Sequence, residues 1–349
     1  MVTATDSVLG RLDTVQNKAL RIITGAAKST PILAMQLQAE IESLKDRRQM
    51  NGAILYERVL RNGDYWASTL GNTRRLKTQL TFIEATKSII TSLGLNFEIR
   101  EPLPDLTKQR VWTCPYAIVL DLIIPINKSM TLVEELRTVA LATIAERYPE
   151  PEWIHIYTDG SATEANKNAG AGVYNSLFQL SAPAGANATN FDGEVAAITL
   201  ALEKLTHACV TKVVLLSDSR AALLAIASGD PLTNARILAC RKSIECKRKI
   251  LTVLVMQWIP AHCGIYGNEE ADRLARLGAR QPQPLLPVTM DMAKEMVRSA
   301  TNKRAEERSR GECGGKNWAA LLDPKRRPPL TLPRAVSVAC FRLASGHDY

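Results

Sequence analysis

The sequence is poor in the residues that most often build metal sites and covalent cross-links. It has four histidines and seven cysteines in 349 residues. No Cys-x-x-Cys pair with a partnering His occurs, so a zinc site is not expected. Scattered cysteines in odd number fit a reducing, intracellular setting better than a disulfide framework. Long apolar runs are also missing. The most apolar window, Tyr116 to Ile126, is too short to cross a bilayer and contains Asp121, so no membrane partner is expected. The first residues lack a cationic start followed by an apolar core, so no secretory leader is expected. There is no GxxxxGK[ST] phosphate loop and no Ser-His-Asp elbow, which removes two large classes of catalytic chemistry.

What remains is a chain able to fold around a core. Hydrophobic residues make up 46% and charged residues 23%. The length suits two or three domains. A net charge of +9 favours a polyanionic partner.

The first third reads as helical. Val8, Leu12, Val15, Ala19 and Ile22 repeat at three- and four-residue spacing, and Gly25 follows as a stop. A second helix is expected from Ser43 to Arg61, and a third between Met130 and Pro149, while the run YAIVLDLII between them could be a strand. Neither an acid–base pair nor a metal constellation occurs there, so residues 1–150 are expected to form a helical region. The segment PEPEW reads as a linker, with a domain boundary near Pro151. The texture then changes. IHIYTDGS, AGAGVYNS and LFQLSAPAG are three successive strand candidates, followed by alternating helix and strand up to GNEEADRLARLGA. That order predicts an α/β domain over 151–282, a mixed sheet flanked by helices. Residues 283–349 read as a Pro-rich and basic linker with a further C-terminal piece.

Four carboxylates stand out in the α/β region. Asp159 is expected at the end of one strand and Asp218 at the end of another. Both strands are nearly continuous apolar runs, as in parallel strands covered on both faces. Functional groups gather at the carboxyl ends of such strands. Glu194 is expected to open a helix, and Asp272 to lie near the start of another, after an Asn268 cap. Singly, each has an ordinary structural reading as a turn, cap or first-turn acid. Together they would repel strongly unless divalent cations relieved them. Mg²⁺ prefers carboxylate oxygens, and Mn²⁺ also suits them. Two ions about 4 Å apart can activate water and stabilise a leaving oxygen in phosphodiester cleavage. His262, on a glycine-containing loop before the Asp272 helix, could move a proton near neutral pH or help product leave, and equally could be a solvent-exposed loop residue with no task.

The segments YTDGS, Glu194 in its helix, SDSR and WIPAHCGIYGNEEADRLA together resemble the ribonuclease H domain, in the version carried by jockey-like non-LTR retrotransposons. The resemblance covers about Trp153 to Arg280. It implies a ribonuclease H-like fold with a five-stranded sheet, and hydrolysis of the RNA strand of RNA–DNA hybrids with two Mg²⁺ ions. It further implies that Asp159, Glu194, Asp218 and Asp272 bind metal, and that His262 assists turnover. Ser161, Asn190, Ser219 and Arg220 fall at substrate-binding positions, although Arg220 departs from the amide of some relatives. The stretch Leu12–Ile41 resembles the segment after the polymerase core of the same polyproteins. No two adjacent aspartates occur, so polymerase activity is not expected. The segment Leu332–Tyr349 resembles the approach to a Cys/His cluster, and the chain is expected to be a fragment of a mobile-element protein. Two alternatives stay open: a hybrid-binding relic that does not cut, and a strand-joining enzyme of related fold. The DGS opening and the His262 loop weigh against the latter.

Overall fold

A computed structural model describes residues 2–62, 80–97, 99–104, 112–126, 130–163, 167–205, 212–229, 234–247, 253–329 and 331–346. The chain forms two compact units, one made of Met1–Glu98 with Ala293–Tyr349, the other of Ile99–Met292. Among the described residues no helix is long and apolar enough to cross a membrane.

The first unit is helical. Helices α1 (Asp6–Thr24), α2 (Ile32–Ala39), α3 (Leu44–Arg61) and α4 (Phe82–Ser92) belong to its N-terminal part. Helix α1 ends at Gly25, whose φ of 66° is left-handed, as a glycine stop allows. The stripe from Val8 to Ile22 marks the helix but is not its buried face. Val15 and Ile22 are 65% and 70% exposed, while Leu20 and Thr24 are buried. Thr81 and Glu84 form a reciprocal capping box at the start of α4.

The second unit is built on one sheet of six strands. They are β1 (Ala117–Val119), β2 (Ile154–Thr163), β3 (Lys167–Asn175), β4 (Phe178–Gly185), β5 (Lys212–Ser217) and β6 (Val253–Trp258). Their order is β1-β6-β5-β2-β3-β4. The first four in that order are parallel, and β2, β3 and β4 form an antiparallel meander. The helices are α5 (Val133–Arg147), α6 (Asn190–Lys204), α7 (Arg220–Ala227), α8 (Ala235–Lys247) and α9 (Tyr266–Arg280). Strand β5 shows why both faces are covered. Its Val213 and Leu215 join the core under α6, α7 and α8, while Val214 and Leu216 join the core under α5. Helix α9 lies flat against β3 because two glycines leave room. A Cβ on Gly172 would come 2.0 Å from the Ala271 carbonyl, and one on Gly170 would come 2.1 Å from the Ala279 nitrogen.

The C-terminal region is not a loose linker. Helix α10 (Met290–Cys313) is 24 residues long, and α11 (Arg334–Ser345) follows two short 3-10 turns. Its buried positions include Ala293, Val297, Thr301, Ser309 and Cys313. Several of these are small or polar, so the stripe is not visible as a hydrophobic period. Trp318, Leu321 and Phe341 complete a core with Leu20 and Met35.

The sheet has one strand more than the expected five, and the compact unit begins at Ile99 rather than near Pro151. The cause is the segment before Pro151. Strand β1 pairs with β6, and α5 buries Leu136, Ala140 and Ile144 against Val214, Leu216, Val255 and Ile259. Gln257, fully buried, is held by Tyr148 Oη at 2.9 Å and donates to the Asp121 carbonyl at 3.1 Å. Leu136→Ala should therefore destabilise the protein by about 2–5 kcal/mol. Urea unfolding measures this, and an unchanged midpoint would show that α5 does not pack as described.

Candidate active site

Strands β2 and β5 deliver the first two carboxylates side by side. Their parallel pairing ends at Thr158 opposite Ser217, and the next residues are Asp159 and Asp218. Asp159 does not end its strand as expected. Strand β2 runs on to Thr163 because its other edge continues to pair with β3. Asp159 thus stands where one ladder stops and the other continues.

Glu194 reaches them through a close backbone approach. Helix α6 starts at Asn190, capped by Thr189 and Asp192, so Glu194 lies one turn inside rather than at the opening. At Gly160 a Cβ would meet the Glu194 nitrogen at 2.2 Å, and at Gly193 one would meet the Gly170 carbonyl at 2.7 Å. Helix and strand therefore touch through two glycines. The oxygens of Asp159, Glu194 and Asp218 come within 4.8 Å of one another.

The grouping is electrostatically unfavourable by itself. Burial, followed by the charges of Asp218 and Asp272, pushes the Asp159 carboxyl up to about 8. Burial, and then Asp159 and Asp218, raises Glu194 well above the usual carboxylate range. Glu194 is 5% exposed, and its Oε2 has no hydrogen-bond partner. A buried acceptor with no donor, in an all-oxygen set, fits a hard divalent cation.

Asp272 is set apart. It lies in the second turn of α9, and its carboxylate pairs with Arg276 at 2.6 Å. It still lines the cleft, of about 480 Å³, that the other three carboxylates share. His262 lines it too, from a loop in which its φ of 54° is left-handed. Ser161, Asn190, Ser219 and Arg220 line the same cleft. Ser219 also caps α7, and Arg220 stacks 5.7 Å over the Trp258 ring. All the site residues expected from the sequence thus face one space, but only three carboxylates converge.

Asn268 is the residue that sequence reasoning misplaced. The cap position of α9 belongs to Ile265, and Asn268 is buried inside the first turn. Its Nδ2 donates to Asp218 Oδ2 at 3.2 Å. The four-residue spacing from Asn268 to Asp272 puts both on one helix face, which was the signal available.

Residues 151–280 match the family model described as RNase H. Ribonuclease H1 of Homo sapiens is 27% identical over 148 residues, covering 38% of this chain and 52% of the human protein. The chain thus spans about half the length of that curated relative. The matched range holds β2 to β6 and α6 to α9, while β1 and α5 lie before it.

The raised Asp159 carboxyl has a consequence for stability. The native state keeps a proton that the unfolded chain, near the ordinary value of 3.8, releases. Cation-free stability should therefore fall as pH rises from about 4 towards about 8. Asp218→Asn removes a repelling charge. Without cations at pH 7.5 it should melt above wild type, by roughly 2–4 °C for each 1 kcal/mol relieved, and the gap should close towards pH 4. Equal melting temperatures at pH 7.5 would contradict this account.

Proposed function

We propose that the RNase H domain hydrolyses the RNA strand of RNA–DNA hybrids in a divalent-cation-dependent reaction. The observation that carries this reading is the convergence of Asp159, Glu194 and Asp218 around an unpaired, buried Glu194 oxygen. Those three residues, with Asp272 beside them, would hold Mg²⁺, and Mn²⁺ could replace it. When bound, two such ions supply the charge that activates water and stabilises the leaving oxygen.

The chain's own groups divide the remaining work. Asn268 orients Asp218 through its amide, and the Trp258 indole donates to the Asp218 carbonyl at 3.1 Å. The buried side chains of Cys263 and Ile265 flank the His262 loop, leaving the His262 imidazole exposed to take or give a proton. Asn190 and Ser161 sit at the cleft wall where the 2′-hydroxyls that distinguish RNA can be read. Arg220 offers a guanidinium to phosphate, so binding should weaken with salt. The flanking regions we read as parts of a retrotransposon-derived protein, on the resemblance of Leu12–Ile41. A reading frame joining this sequence to a polymerase would support that origin.

The test uses the full chain and an end-labelled hybrid. Wild type should cut the RNA strand in Mg²⁺ and not in EDTA, and Asp218→Asn should not cut. His262→Ala should lower turnover by up to roughly a hundredfold with little change in KM. A folded wild-type protein that leaves the hybrid intact in both Mg²⁺ and Mn²⁺ would sink the nuclease reading, and hybrid retention would then point to a binding role.

A further inference from the structure

Asp272 differs from the other carboxylates in already having a cation. Arg276, one turn further along α9, donates Nε to Asp272 Oδ1 at 3.0 Å and places Nη2 2.6 Å from Oδ2. Both carboxylate oxygens are thus engaged by one guanidinium fork, the geometry that suits Arg to carboxylate. The close trio of Asp159, Glu194 and Asp218 does not include Asp272. Yet Asp272 is near enough to raise the Asp159 carboxyl, and both members of the pair line the cleft.

The pair is asymmetric in a way that matters. The Asp272 side chain is 14% exposed and that of Arg276 is 59% exposed. The carboxylate is fixed in the site, while the guanidinium has water on its outer side. An ion pair with one solvated partner contributes little, so the fork can be displaced. A divalent cation has twice the charge and seeks the same oxygens.

We propose that Arg276 is an internal place-holding cation. It neutralises Asp272 until a second divalent ion enters, and it competes with that ion for both carboxylate oxygens. Once displaced it stays on the cleft wall, where a phosphodiester gives the guanidinium a new partner. The concentration of divalent cation needed to fill the site is then set partly by a residue that is not a ligand. This inference rests on the reading of the domain as a metal-dependent nuclease.

The test needs no substrate. Mn²⁺ binding to the full-length protein is followed by electron paramagnetic resonance of the free ion and by calorimetry. Wild type should show a tighter and a weaker binding event. Arg276→Gln should tighten the weaker event about tenfold, equivalent to about 1.4 kcal/mol, and leave the tighter one within about twofold. Asp272→Asn should remove the weaker event, both alone and combined with Arg276→Gln. Circular dichroism should show all variants folded, because both side chains lie at the cleft surface. A weaker event that is unchanged or loosened in Arg276→Gln would overturn the inference and make Arg276 a support for Asp272. Wild type that binds no Mn²⁺ at all would instead overturn the proposed function, and the two failures are distinguishable.

Discussion

Repulsion among Asp159, Glu194 and Asp218 is the constraint around which the sheet unit is organised. Three carboxyls within 4.8 Å of one another, two of them buried, would separate unless the backbone held them. The backbone does so at two places. Parallel pairing of β2 with β5 stops just short of Asp159 and Asp218, which fixes their spacing. The contact of Gly160 with the Gly193–Glu194 backbone presses α6 onto β2 and carries Glu194 inward. Neither contact uses a side chain that could rotate away. The strain falls on protonation instead, since burial and like charge keep Asp159 and Glu194 protonated above the usual range.

The cores on both faces of the sheet hold this arrangement in place. On one face α6, α7 and α8 cover Ile156, Val213 and Leu215. On the other, α5 covers Val214 and Leu216 and packs beside Cys263 and Ile265. That second cover comes from before the matched RNase H range. The loop bearing His262 is thereby anchored by residues outside the family match. A fragment starting at Pro151 would lose β1, α5 and this support, so function is best measured on the whole chain.

Charge of the opposite sign is placed with equal economy. Arg276 answers Asp272, and Asn268, a neutral donor, answers Asp218. Among the carboxylates of the cleft, Asp159 accepts from the Gly160 N–H, Asp218 from Asn268 and Asp272 from Arg276, while the Glu194 Oε2 has no partner. The place without a donor is where a cation fits best.

Much of this was legible in the residues. Strand length, apolar runs and turn residues marked β2 to β6, and the three- and four-residue periods marked α1, α3, α5 and α6. Asp159, Glu194, Asp218 and Asp272 were recognisable because their types, order and flanking residues form a pattern. The apolar run from Tyr116 to Ile124 read as a candidate strand and holds β1, but nothing in it showed that it joins this sheet, and α10 was hidden by small and polar buried positions. Local sequence thus determined which elements form and which acids they carry, because periodicity and turn chemistry act over a few residues. Only the tertiary structure decided that Asn268 serves Asp218 rather than capping a helix, that Asp272 is held by Arg276, and that the residues before Pro151 belong to the sheet. Those outcomes depend on which helix faces meet which strands across distances of up to about 140 residues of chain, as between Val119 and Gln257. No local pattern encodes such meetings.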